Sequence, residues 1–356
     1  MSSIDLMRLV REKIKTLNAY HVENLNNEIK LHANESPYPP SPEILKRVFI
    51  RLNELELNRY PDPECRCLKQ AIANKTGALP EQIIIGNGSD ELIQYLMQVL
   101  CDEGDCIAFP DPTFAMYGIT ANCLGLNPVH FPLSDNWDFE AQSALEVLAK
   151  NKARLVFLSY PNNPTGNCFS EQPIQQIIEE FDGIVVIDEA YQDFSGKTFL
   201  NQMEKHNNLV VLRSLSKIGL AGLRIGYGIF PTILAEQVNK VRLPYNSNTL
   251  SQLVATELLN DFTCVQNQIN SIIEERDRVM GELSKLSPII TYPSNSNFIL
   301  FMVPSGGESI FDKLKENNIL VRNLNSHPKL NNCLRVTIGT KQQNNQFLGQ
   351  LRNIFP

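Results

Sequence analysis

The sequence predicts an α/β fold in which a buried, mostly parallel central sheet is flanked by helices and joined to a smaller α+β unit. Three observations point there. Short runs that are apolar on both faces alternate with amphipathic stretches, the pattern of a sheet covered on both sides. These runs end in polar turns rich in Gly or Pro, and ligands of such sheets sit beyond those strand ends. A chain of 356 residues exceeds one typical domain and suits two that share a cleft.

The elements follow in order. The Pro-rich stretch SPYPPSP (36–42) marks a segment expected to cross over to the smaller unit. Ile83-Ile84-Ile85 reads as a strand ending in Gly86-Asn87-Gly88-Ser89, and DELIQYLMQVL after it has a helical period. CIAFP (106–110), RLVFLSY (154–160), GIVVIDEAY (183–191), NLVVLRSLSK (208–217) and RIGYGIF (224–230) read as further strands. Residues 231–285 are long and helical. After them NFILFMV (297–303), a helix near 308–317, ILVRN (319–323) and CLRVTIG (333–339) make the α+β unit. The expected division is an N-terminal segment (1–45) joining the small domain, a large domain (46–250) and a small C-terminal domain (251–356).

Composition narrows the function. With 32 basic against 39 acidic residues and no long run of one sign, the chain offers no footprint for nucleic acid or an anionic membrane. No stretch approaches 18 uninterrupted apolar residues. The first twenty residues carry charges too closely spaced for the apolar core of a secretory signal, so a cytoplasmic location is expected. Eight cysteines then read as thiols, and Cys65 with Cys67 lacks a second pair at zinc spacing.

Five segments carry chemistry, and their order is more informative than any one of them. Ser214-Leu215-Ser216-Lys217 follows an apolar strand, with Arg224 seven residues on. A lysine forms a Schiff base only as a neutral amine, and two serines plus an arginine suit a phosphate. Alone, Lys217 reads as a solvated lysine in a Gly-rich turn. Asp188-Glu189-Ala190-Tyr191 closes the run GIVVI, where a carboxylate can face a ring nitrogen and a phenol a ring hydroxyl. The plain alternative is a surface acidic pair, against which the apolar run argues for burial. Pro161-Asn162-Asn163-Pro164-Thr165-Gly166 is a rigid turn that can aim Asn163 into a cleft, or a turn and nothing more. At Gly86-Asn87-Gly88-Ser89 the chain enters a helix whose first amides suit a phosphate, while Asp90 and Glu91 also suit a helix cap. Arg335 alternates with apolar residues on a strand, which calls for a carboxylate or phosphate, or a structural ion pair.

In the order YPDP, GNGSDE, PNNPTG, DEAY, SLSK…R and CLRVTIG, the whole chain resembles the fold-type I enzymes of pyridoxal 5'-phosphate (PLP), specifically the class I and II aminotransferases. LHANESPY (31–38), RYPDP (59–63), DPTFAMY (111–117) and LSKIGLAGLRIGYG (215–228) are similar to the histidinol-phosphate aminotransferase family among them. The resemblance implies a role for each residue. Lys217 would carry the cofactor and move the proton at substrate Cα, with Asp188 on the ring nitrogen and Asn163 and Tyr191 on the ring hydroxyl. Ser214, Ser216, Arg224, Ser89 and the Gly88 amide would hold the cofactor phosphate, Asp90 would stand beside them among the cofactor-binding residues, and Phe114 would stack on the cofactor ring. Tyr60 would reach that phosphate from the second subunit of a homodimer. Arg335 would take the carboxylate of glutamate. Arg322, Tyr20 and Asn34 would receive the phosphate of histidinol phosphate.

Two positions depart from the family pattern. SKIGLAGLR is one residue shorter than in many relatives, and Phe114 stands where Tyr is common. Three other readings compete: a PLP decarboxylase of a phosphorylated amino acid such as threonine phosphate, an aminotransferase of aromatic amino acids, and a non-catalytic regulator on the same fold. The last is disfavoured by the presence of Lys217 and the lack of a basic helix-turn-helix pattern.

Overall fold

The computed structural model describes residues 5–15, 17, 29–304 and 306–355. Its strands, in chain order, are β1 (Ile29–Lys30), β2 (Ile83–Asn87), β3 (Cys106–Asp111), β4 (Asn127–Pro132), β5 (Leu155–Ser159), β6 (Ile184–Asp188), β7 (Leu209–Ser214), β8 (Ile225–Ile229), β9 (Ile290–Thr291), β10 (Phe298–Met302), β11 (Ile319–Leu320), β12 (Arg322–Asn323) and β13 (Cys333–Thr337).

Seven of them form the central sheet, in the order β2-β8-β7-β6-β5-β3-β4. β8 is antiparallel to both β7 and β2, while the pairs from β7 across to β4 are parallel. The connection from β7 to β8 holds too few residues for a crossover, so it can only turn the chain back. β5 shows why the strands read as continuous apolar runs. Val156 and Leu158 enter one core, Leu155 and Phe157 the other, so both faces are buried. β4 was not anticipated. Its two prolines argue against a central strand, and it lies at the sheet edge, where a missing donor is tolerated.

The helices used below are α1 (Glu12–Lys15), α2 (Pro42–Leu52), α3 (Arg66–Thr76), α4 (Ser89–Leu100) and α5 (Met116–Leu124). α4 buries Leu92, Ile93, Leu96 and Met97 on one face, as its period predicts. Helices Thr232–Val241, Thr249–Asn260 and Thr263–Leu283 account for the long helical stretch. No helix among the described residues is long and apolar enough to cross a membrane.

The second sheet, in the order β12-β13-β10-β9, is antiparallel throughout. ILVRN is not one strand. Val321 separates β11, which pairs in parallel with β1, from β12, which pairs with β13. The N-terminal chain is stitched to this part: Leu31 N–H donates to Leu320 O, and Thr337 N–H donates to Leu31 O. Further upstream, Arg11 and Lys13 donate to the carbonyls of Cys123 and Gly125 at the C-terminus of α5, the end of the helix dipole that favours cations.

Candidate active site

A cavity of about 370 Å³ lies where β2, β3, β5, β6 and β7 end, closed on its far side by β12 and β13. Chain order reverses direction beside β3, whose neighbours are β4 and β5, and such a switch point opens a crevice at the strand ends. Lys217, Asp188, Asn163, Tyr191, Ser214, Ser216, Arg224, Gly88, Ser89, Asp90, Phe114, Asn34, Arg322 and Arg335 all line this one cavity. Fourteen residues spread over some three hundred positions converge. Tyr20 lies outside the described residues. Tyr60 lies elsewhere: it is 80% exposed and stacks on Tyr245 at 4.4 Å between centroids.

Lys217 sits on a tight turn. β7 ends at Ser214, a 3-10 turn spans Leu215–Ile218, and Gly219 takes a left-handed conformation before the chain turns back. The Ser214 hydroxyl oxygen accepts from the Ser216 N–H at 3.2 Å, which fixes the two serines relative to each other. The Lys217 ammonium lies 5.7 Å from the centroid of the Tyr191 ring.

Asp188 closes β6 and is buried. Its carboxyl is pushed up to about 6 by that burial, opposed by hydrogen bonds from Tyr117 and from the Ala190 amide. Tyr117 Oη donates to Oδ2 at 2.7 Å, and Ala190 N–H donates to Oδ1 at 3.2 Å. A buried carboxylate with two neutral donors is best completed by a cation. A protonated pyridine nitrogen is such a cation, so Asp188 fits the ring of PLP. Glu189, its neighbour, is no surface acid either. It is buried on Arg213, which donates through Nε at 3.0 Å and Nη2 at 2.8 Å, tying the ends of β6 and β7 together.

The end of the cavity at α4 is built by backbone geometry. Gly88 precedes α4 with φ +83° and ψ 163°, a region open essentially to glycine alone, and no side chain caps that helix start. A Cβ on Gly88 would lie 2.4 Å from Arg224 Nη2, so the missing side chain lets the guanidinium approach. The shortened spacing after Lys217 therefore still brings Arg224 into the cavity wall beside Gly88. Asp90 is not a cap: its carboxylate pairs with Arg224 at 2.9 Å. Glu91 takes the cap-like role, accepting from Asn87 N–H at 2.7 Å.

The opposite wall joins both sheets. Arg335 Nη1 donates to Asn163 Oδ1 and Nη2 to His32 O, the latter at 2.8 Å. Arg322 pairs directly opposite Arg335 across β12 and β13. Two cations on facing strand positions repel, and an anion between them offsets that repulsion. Asn34 lines the same wall, and its Nδ2 donates to Tyr191 Oη at 2.9 Å. Phe114 lines the wall and meets Tyr117 edge-on at 5.5 Å. Of the two turn asparagines, Asn162 is structural, donating to Pro112 O and Thr165 Oγ1, which leaves Asn163 for the cavity.

Tyr117, His32 and the Glu189–Arg213 pair were missed as site components. Tyr117 stood in DPTFAMY, where the available signal was a phenol that must place its hydroxyl if buried.

The chain matches the family model "Aminotransferase class I and II" over residues 26–351. It is 41% identical over 347 residues to histidinol-phosphate aminotransferase 2 of Nitrosococcus oceani, covering 96% of each chain. To the histidinol-phosphate aminotransferase of Caldanaerobacter subterraneus subsp. tengcongensis it is 38% identical, covering 97% of this chain and 98% of that one. Its fold superposes on the histidinol-phosphate aminotransferase of Sinorhizobium meliloti, solved with pyridoxal-5'-phosphate, with TM-score 0.88 and 23% identity, covering 97% and 98% of the two chains.

Proposed function

The chain belongs to the class I and II aminotransferase family, and from that premise we propose that it exchanges the amino group between L-glutamate and imidazole-acetol phosphate. The products are 2-oxoglutarate and L-histidinol phosphate, in L-histidine biosynthesis. The cofactor is PLP. The observation that carries this reading is the single cavity in which Lys217, Asp188 and Arg224 meet two facing arginines.

PLP, when bound, supplies the electron sink for the pair left behind when a proton departs Cα. Lys217 would hold the cofactor covalently and would move the proton at substrate Cα as general acid and base. Asp188 keeps the ring nitrogen cationic. Asn163 and Tyr191 would bond the ring hydroxyl, and Phe114 would cover the ring face. Ser214, Ser216, Arg224, Ser89 and the Gly88 amide would hold the phosphate at the start of α4, with Asp90 orienting the Arg224 guanidinium. Arg335 takes the glutamate carboxylate; Arg322, with Asn34 and Tyr20, takes the phosphate of the second substrate. One pair of arginines thus serves both half-reactions.

The working unit is a homodimer. Leu57, Tyr60, Leu243, Tyr245 and Leu250 are exposed apolar or aromatic side chains, which a second copy covers while Tyr60 reaches the partner's cofactor phosphate. Residues 46–250 act as the cofactor domain, and 251–356 with 1–45 as the domain that brings the substrate arginines.

Spectral titration of the PLP-loaded protein tests this. L-histidinol phosphate and glutamate should each convert the absorbance of the lysine-bound cofactor to that of its aminated form, and Lys217→Ala should abolish both turnover and borohydride trapping. Conversion by glutamate alone would remove the second substrate, and CO₂ release from threonine phosphate would favour a decarboxylase.

A further inference from the structure

Assigning Asp188 to the ring nitrogen leaves its closest partner without a role. Tyr117 is fully buried on α5, its ring stacked on Phe157 with centroids 4.9 Å apart and planes at 17°. A residue wanted only for packing there would be phenylalanine, because a buried hydroxyl is costly unless bonded. The hydroxyl is spent on Asp188 Oδ2 at 2.7 Å. Among the described residues, no other side chain hydrogen-bonds to that carboxylate.

We propose that Tyr117 is a positioning residue: by donating to Asp188 Oδ2, it keeps the carboxylate a weak base, so the proton shared with the cofactor's ring nitrogen stays on the nitrogen. This deepens the aminotransferase reading and rests on it. The effect is electrostatic. A donor to the charged form of an acid lowers its basicity, and the more so where water is excluded. The other charges facing Asp188 are Lys217, beyond β7, which acts in the same sense, and Asp90, on α4, which opposes it. Burial and the nearby carboxylate hold the Tyr117 phenol well above its ordinary value, so it remains a donor throughout the working range. Oδ2 is held by Tyr117 and Oδ1 by Ala190, which fixes the plane of the carboxylate as well as its charge. Without the phenol the carboxylate draws the proton toward itself, and a neutral ring withdraws electrons poorly. The loss therefore falls on the chemical step and not on substrate binding.

The test uses holoenzyme loaded with PLP carrying ¹⁵N at the ring nitrogen. Wild type should show the resonance of a protonated ring. Tyr117→Phe should move it toward the neutral position and lower kcat about tenfold, the worth of one charge-assisted hydrogen bond, with KM for glutamate changed by less than about twofold. Phe157→Leu disturbs the packing of the same ring and keeps the hydroxyl; it should leave the resonance in place. An unmoved resonance in Tyr117→Phe, or an equal shift in Phe157→Leu, overturns the role of Tyr117 alone. A wild-type protein that shows no lysine-bound cofactor absorbance overturns the aminotransferase reading and this proposal together.

Discussion

Replacing Asp188 with asparagine separates what this carboxylate costs the cofactor-free protein from what it contributes to the loaded one. Burial, the largest influence, pushes its carboxyl from the ordinary 3.8 to about 6. Below pH 4 the folded and unfolded chains both hold the proton, and Asp188 has little effect on stability. As pH rises past the unfolded value, the unfolded chain releases its proton while the folded chain keeps it. The cofactor-free protein therefore loses stability across that window, and the loss is complete above about 6. A gap of roughly two decades in proton affinity, at about 1.4 kcal/mol per decade, amounts to ~3 kcal/mol. Asparagine removes that charge and keeps an acceptor for Tyr117, but it gives up the bond from the Ala190 amide, worth about 1 kcal/mol. Cofactor-free Asp188→Asn should then be about 2 kcal/mol more stable than wild type at pH 8, and no more stable at pH 4. With an unfolding entropy of about 2.1 cal/mol/K per residue over 356 residues, the gain at pH 8 is a rise of about 3 °C in Tm. Calorimetry and urea unfolding at the two pH values measure it. PLP should stabilise wild type more than the variant, reversing the order in the loaded proteins. A cofactor-free variant less stable than wild type at pH 8 would refute the reasoning, because it would mean that the ionised carboxylate already has its counter-charge within the chain.

Two further outcomes follow from the same geometry. Glu189→Ala leaves Arg213 buried without its carboxylate and should cost about 3–5 kcal/mol, or ~4–7 °C in Tm; the double variant Glu189→Leu/Arg213→Met should recover most of it, and equal losses in the two would argue against the ion pair as the cause. Gly88→Ala puts a Cβ against Arg224 Nη2 in backbone space reserved for glycine, so equilibrium dialysis should show PLP binding weakened at least tenfold, with folding stability down by about 1–3 kcal/mol.

The sequence by itself determined the parts of this protein whose physics is local. β5 to β7 were legible because a strand buried on both faces is apolar throughout, and each run changes to polar residues where it meets the cavity. Lys217, Asp188 and Gly88 were legible for the same reason, since their chemistry depends on standing at such an end. The edge strand β4 was not, because its burial is intermittent and its prolines obey the edge rather than the strand. The split of ILVRN was hidden too: five apolar-rich residues read as one strand until their partners, β1 and β13, proved to lie in different sheets. Tertiary structure alone decided which distant groups meet. Tyr117 and Asp188 are 71 positions apart, Asn34 and Tyr191 are 157, and the stacking of α5 and the N-terminal chain against the strand ends brings each pair to hydrogen-bond distance. Periodicity records which face of an element is buried but not which element covers it. The electrostatic character of the site comes from that second choice: the buried Asp188 carboxyl accepts from a phenol, and two arginines face each other across β12 and β13.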